Sequence, residues 1–107
     1  MSAVVYLDYI TCEQTSDYFT SDDVYMTQGG SKIWGTEKMN NGDKKDIQRP
    51  FGGGADLEFS LFEEEIGSPD FLGSITIFAS EPEGAHNKPF TNPNDRAHYT
   101  LYYYVQS

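Results

Sequence analysis

The sequence has few of the residues that mark several large classes of protein. Cys12 is the only cysteine, so the chain forms no internal disulfide and is not a cystine-stapled secreted scaffold. Seven basic residues stand against seventeen acidic ones, and the formal net charge is −10. A charge of this sign repels a phosphate backbone, so we do not expect nucleic acid as a partner. Cations or basic partner surfaces are its natural counterparts.

Long hydrophobic runs are missing as well. No stretch approaches the roughly 20 apolar residues of a membrane-spanning helix. The segment 1–8 lacks the basic start and apolar run of a signal peptide, so we expect a soluble protein, and the lone cysteine favours a cytoplasmic over a secreted location. Hydrophobic residues still make up 37% of the 107 residues. That supply suffices for one packed core, so we expect residues 1–107 to form a single domain.

The apolar pattern has a period of two and shows no helical period. Leu57, Phe59 and Leu61 alternate with polar residues, as expected for a strand with one buried face. Gly29–Gly30 predicts a tight hairpin turn, and 40–43 predicts a second hairpin turn. Polar stretches at 11–22 and 81–96 read as long connections. The sequence therefore predicts an all-β, antiparallel β-sandwich of about seven to eight strands, with strands near 4–10, 24–28, 32–35, 44–49, 57–61, 72–78 and 99–105.

Two of the predicted connections are rich in carboxylates. Calcium takes six to eight oxygen ligands from flexible loops, and the two acidic stretches converge if the sandwich brings them to the same end. Zinc is not expected, because one cysteine and two histidines form no close-spaced ligand motif. The alternative is that these carboxylates are simply solvated, and the choice among the three glutamates of 63–65 stays open. The predicted calcium ligands are Asp17, Asp23, Glu63, Glu65 and Asp70.

The segment 59–77 resembles the part of a C2 domain in which a strand leads into an acidic loop and then into Asp-aromatic-aliphatic-Gly. Asp70–Gly73 has that ending, and Ser21–Tyr25 is similar to the family's Ser-Asp-Pro-Tyr element. Asp17 precedes Asp23 by six residues, the spacing of the family's first calcium loop. The resemblance implies a C2-like sandwich with calcium as its cofactor, attached by its loops to an anionic membrane surface or to a protein partner.

Three apolar residues interrupt the acidic loops instead of alternating along strands. Tyr18, Phe19 and Ile66 would stand beside the ion, and we take them as candidates for insertion into a membrane. The rival interpretation is a structural or protein-interaction β-sandwich that does not bind calcium. Both interpretations are non-catalytic. The sequence has no nucleophile elbow, metal-hydrolase motif or phosphate-binding loop, so we do not expect an enzyme.

Overall fold

The computed structural model describes residues 3–107, which form eight strands and no helix. The strands make two four-stranded antiparallel sheets, with the orders β4-β1-β8-β7 and β3-β2-β5-β6. The predicted β-sandwich is therefore confirmed. No helix in this part of the chain could span a membrane. The strands are β1 (Val4–Gln14), β2 (Asp22–Gln28), β3 (Ser31–Met39), β4 (Lys44–Gly52), β5 (Leu57–Glu63), β6 (Asp70–Ile77), β7 (Gly84–Asn92) and β8 (Asp95–Gln106).

The core lies between the two sheets and follows the alternation of the strands. Phe59 and Leu61 of β5 and Tyr99 and Leu101 of β8 are completely buried in one hydrophobic cluster. Burial of each such side chain contributes about 1.5–3 kcal/mol relative to exposure. In the consecutive tyrosines of β8, Tyr103 is buried while its two neighbours lie on the outer face.

The two predicted turns have different outcomes. Gly29 and Gly30 have φ values of 58° and 84° and join β2 to β3 as a hairpin, as predicted. The prediction of a hairpin at Asn40–Asp43 was wrong, because β3 and β4 belong to different sheets. The turn instead carries the chain across the sandwich. It is closed by a 3.0 Å bond from the Asp43 N–H to the Asn40 carbonyl.

Both long connections are shorter in the structure than the sequence predicted. Residues 11–14 continue β1, and β7 occupies most of the 81–96 stretch. β7 is an edge strand, so Pro89 can sit in it without removing a hydrogen bond from an interior ladder. The inward positions of β7 carry His86, Lys88 and the buried Phe90. Because two of these three inward residues are polar, the sequence shows no clear alternation of apolar and polar residues along β7.

Side chains join the two sheets along the side where β3 faces β4. The Trp34 indole N–H donates to the Asp46 carbonyl at 3.2 Å, and the Arg49 guanidinium donates to the Ile33 carbonyl at 2.6 Å. Each bond runs from one sheet to a backbone oxygen of the other. Edge carbonyls that a sandwich leaves open are thus satisfied without a further strand.

The opposite side, where β6 faces β7, is closed around Glu81. The Lys88 ammonium lies 2.6 Å from the Glu81 carboxylate and donates to the Thr76 carbonyl at 2.5 Å. The Tyr103 hydroxyl and the Phe78 N–H also donate to Glu81. Burial alone would raise the pKa of Glu81, but these hydrogen bonds and the Lys88 charge outweigh it, and the pKa is lowered.

Four connections meet at one end of the sandwich, which we call the loop end. They are the β1–β2 loop (15–21), the β3–β4 turn (40–43), the β5–β6 loop (64–69) and the β7–β8 turn (93–94). The Thr15 N–H donates to the Asn41 side chain at 2.8 Å, and the Ser16 hydroxyl donates to Asp95 at 2.9 Å. The β1–β2 loop is thus fixed from both sides.

Candidate metal site at the loop end

Three carboxylates converge at the loop end. Asp17 comes from the β1–β2 loop, Glu63 ends β5, and Glu65 lies in the β5–β6 loop. One carboxylate oxygen from each lies within 4.8 Å of the others. Two oxygens that share a calcium ion at about 2.3–2.6 Å are at most about 5 Å apart. The separation therefore suits oxygens that bind one calcium ion together.

Glu63 is the most unusual member of this cluster. Its side chain shares the inward face of β5 with Phe59 and Leu61, and the residue is 4% exposed. Its Oε1 atom is buried and has no hydrogen-bond partner. Burial, then the nearby charge of Asp22 and a side-chain hydrogen bond to Asp22, and then the charge of Asp17 raise the pKa of Glu63 to about 9. Near neutral pH the carboxyl therefore holds a proton unless a cation takes its place.

Asp22 is a buried carboxylate beside the cluster, and the sequence analysis did not predict its position. It is completely buried, and its carboxylate accepts hydrogen bonds from the Ser16 N–H at 2.7 Å and the Tyr99 hydroxyl at 2.6 Å. A longer bond of 3.4 Å comes from the Asp17 N–H. Asp22 thus connects the start of the β1–β2 loop to the core. The alternation of β2 contained the signal, because Val24 is a core residue two positions later.

Asp23 and Asp70 occupy different places from the three clustered residues. Asp23 is exposed on the outer face of β2, and the structure does not bring its side chain into the cluster. Asp70 is half-buried and lies opposite Glu63 in the β5–β6 register. Its charge is the main reason that the pKa of Glu65 is raised. Asp70 therefore lies beside the cluster. Glu64 lies outside the cluster, and its carboxylate accepts a hydrogen bond from the Thr36 hydroxyl at 2.9 Å.

The three apolar candidates lie on the surface of the loop end. Phe19 is 99% exposed, Tyr18 is 78% exposed, and Ile66 is fully exposed. Phe19 and Ile66 make no contribution to the core and present bare apolar surface to water. A cleft of about 260 Å³ lies between the β1–β2 loop and the β3–β4 turn and is lined by Thr15, Tyr18, Phe19, Thr20, Asn40 and Asn41.

The arrangement of strands and loops resembles known structures. No family model matches the chain, and no curated protein matches it significantly. A solved structure of a C2 domain matches with a TM-score of 0.61 at 16% identity, over 99% of this chain and 97% of that one. This chain has the C2 fold. The resemblance predicted from the sequence is thus confirmed for the fold.

Other structures with this fold occur alone and inside larger proteins. A C2 domain of plant extended synaptotagmin 1 gives a TM-score of 0.61 at 17% identity, over 97% of this chain and 91% of that domain. Human GIVD cytosolic phospholipase A2, solved with an inhibitor and terbium chloride, gives 0.56 at 14% identity. The match covers 99% of this chain and 17% of the phospholipase. The C2 fold accounts for a small part of that enzyme.

Proposed function

We propose that this C2-fold domain binds calcium between Asp17, Glu63 and Glu65 and attaches through its loop end to a membrane surface. The observation that carries the proposal is the buried, unpartnered Oε1 of Glu63 inside a group of three carboxylates. A buried polar atom without a partner is costly, and a bound cation would supply the missing interaction.

The chemistry of the cluster favours calcium over softer metals. All three side chains offer oxygen, and calcium accepts mixed carboxylate, carbonyl and water ligands in flexible geometry. Asp70 adds a fourth carboxylate beside Glu65. None of the ion pairs in residues 3–107 involves these carboxylates, so no basic side chain forms a direct ion pair with them. A divalent cation would relieve their mutual repulsion.

The membrane half of the proposal rests on the exposed tips. Phe19 and Ile66 are exposed in the same two loops that supply Asp17 and Glu65. Apolar side chains suit the boundary between water and acyl chains, while the net charge of −10 opposes approach to an anionic bilayer. Calcium would reduce that repulsion and could share its coordination with lipid phosphates. Attachment should therefore need both the ion and the tips.

Calcium binding is tested by calorimetry and thermal unfolding, with calcium compared against magnesium and against chelator. We expect a rise in Tm with calcium, and a much smaller rise in Asp17→Asn and Glu65→Gln. Glu58→Gln is the matched control, because Glu58 is exposed on β5 outside the cluster. No heat and no change in Tm for the parent would reject the calcium site and favour the protein-interaction alternative.

Membrane attachment is tested by cosedimentation with vesicles containing phosphatidylserine, with and without calcium. We expect calcium-dependent pelleting of the parent and a loss of pelleting in Phe19→Ser and Ile66→Ser. These variants should keep the calcium-induced rise in Tm, because neither side chain is in the carboxylate cluster. Equal pelleting by parent and variants would show that the tips are not the anchors.

A further inference from the structure

Arg96, the second residue of β8, holds the β1–β2 loop through its side chain. The Arg96 guanidinium donates to the Asp17 carbonyl at 3.0 Å, and its carbon lies 4.0 Å from the centre of the Tyr18 ring. The backbone of Arg96 is itself fixed, because Gln14 donates to the Arg96 carbonyl at 2.7 Å. One side chain at the start of β8 thus contacts two consecutive residues of the β1–β2 loop.

These two residues face different tasks in the proposed function. Asp17 supplies a carboxylate to the cluster, and Tyr18 is one of the exposed apolar tips. The Asp17 carbonyl also accepts a 2.7 Å bond from the Thr15 hydroxyl, so two donors hold this one peptide. A planar guanidinium can hydrogen-bond to a carbonyl and stack on an aromatic ring at the same time, which an ammonium does poorly.

We propose that Arg96 is a positioning residue that holds the β1–β2 loop in the conformation that binds the cation and presents the tip. The inference rests on the proposed calcium function. Arg96 does not ligate the ion; it fixes the peptide from which the Asp17 side chain projects, so that the loop need not be ordered when calcium binds. Loss of such outer contacts typically weakens metal binding about 10–100-fold.

The positive charge of Arg96 and its contacts with the β1–β2 loop should affect calcium binding in opposite directions. A positive side chain beside a cation site opposes cation binding, so removing only its charge would strengthen binding of calcium. Removing its hold on the loop would weaken that binding. The two effects have opposite signs, and a fall in calcium affinity on removal of Arg96 therefore reports the loss of positioning.

The chain offers a matched control at Arg49. Its guanidinium also donates to a backbone carbonyl, that of Ile33, and also lies over an aromatic ring, that of Phe51, at 5.4 Å. It does so on the side of the sandwich where β3 faces β4. Arg49→Gln therefore removes the same charge, the same type of hydrogen bond and the same type of ring contact, away from the β1–β2 loop.

The experiment measures calcium affinity by calorimetry in the parent, Arg96→Gln, Arg96→Lys and Arg49→Gln. We expect Arg96→Gln to weaken calcium binding about tenfold. Arg96→Lys should weaken it too, because the charge stays and the planar contact is lost. Arg49→Gln should keep the parent's affinity. An unchanged or higher affinity in Arg96→Gln, in a parent that binds calcium, would overturn the proposal.

A second measurement separates this proposal from the calcium function. In calcium-free protein, nitrogen-15 relaxation reports the order of residues 15–21, and we expect it to fall in Arg96→Gln while Arg49→Gln stays like the parent. If the parent binds no calcium, the proposed function fails and the role of Arg96 in affinity fails with it. Loop order unchanged by Arg96→Gln would also refute the claim that Arg96 holds the loop.

Discussion

Replacement of Glu63 by glutamine should make the calcium-free protein more stable near neutral pH. With a pKa raised to about 9, the native carboxyl holds a proton that the unfolded chain releases above its ordinary value near 4.5. Between these values the native state binds one proton more than the unfolded state. The free energy of unfolding of the parent therefore falls as the pH rises through this window. Glutamine has nearly the same shape and carries no such cost.

The size of the effect follows from the difference of one proton. Parent and Glu63→Gln should have similar stability near pH 5, and should then diverge by roughly 1 kcal/mol per pH unit up to about pH 8. The divergence reaches roughly 2 kcal/mol by pH 7. In a domain of this size each kcal/mol corresponds to about 4–8 °C in Tm. Such a difference is well above the error of urea unfolding.

Calcium should make the parent more stable than Glu63→Gln, the reverse of their order of stability without calcium. An ion that binds only the native parent adds about 2.7 kcal/mol at a hundredfold excess over Kd. It also replaces the proton on Glu63, so the loss of stability with pH should shrink. The amide of Glu63→Gln is a neutral and weaker ligand. We therefore expect the variant to be the more stable protein in chelator and the less stable one in saturating calcium.

Urea unfolding at three pH values between 5.5 and 7.5, in chelator and in calcium, measures both halves of this prediction. Glu58→Gln is again the control, because it removes the same charge from an exposed position of the same strand. Its stability should follow the pH profile of the parent. The reasoning would be refuted by a variant that is less stable than the parent at pH 7.5 in chelator, or by a difference that does not grow with pH.

Two further substitutions test the sandwich away from the cluster. Gly73→Ala should lower the free energy of unfolding by at least about 2 kcal/mol, because φ is +139° and a Cβ would lie 2.7 Å from both the N and the O of Thr91. Gly52→Ala is the control and should have little effect, because no atom lies near its Cβ position. Equal effects of the two substitutions in urea unfolding would contradict this prediction. Glu81→Gln should cost about 2 kcal/mol at pH 7 through its lost charge-assisted bonds. Because the pKa of Glu81 is lowered, this stability is present above about pH 4.5 and is lost as the pH falls through the native pKa, so the difference from the parent should vanish in acid. A difference that persists in acid would contradict that assignment.

Much of the fold could be predicted because local chemistry decides it. The double glycine at 29–30 specifies a tight hairpin, and the alternation of Leu57, Phe59 and Leu61 specifies one buried face. β7 could not be predicted in the same way. Its inward face carries His86 and Lys88, whose burial depends on Tyr103 and Glu81 from elsewhere in the chain. Such partners exist only after the sheets have packed.

The sequence indicated the loops that carry the carboxylate cluster but not all the residues in and around it. The sequence indicated two acidic loops, and the structure brings Asp17, Glu63 and Glu65 together. The sequence alone could not show whether Asp22 or Asp23 faces inward, because this depends on the register of β2. The structure shows that Asp22 faces inward. The contact of Arg96 with the β1–β2 loop joins residues 79 positions apart, and no local pattern announces it.

The bond between Trp34 and Asp46 makes the chain's only tryptophan an optical reporter of the junction between the sheets. The indole belongs to β3, is half-buried and bonds to β4, so separation of these strands would expose more of the ring to water and move its emission to longer wavelength. If calcium binds at the loop end as proposed, the bond at this junction should stay in place, and we expect the emission to stay unchanged. Tryptophan fluorescence therefore follows opening of the sandwich at the side where β3 faces β4.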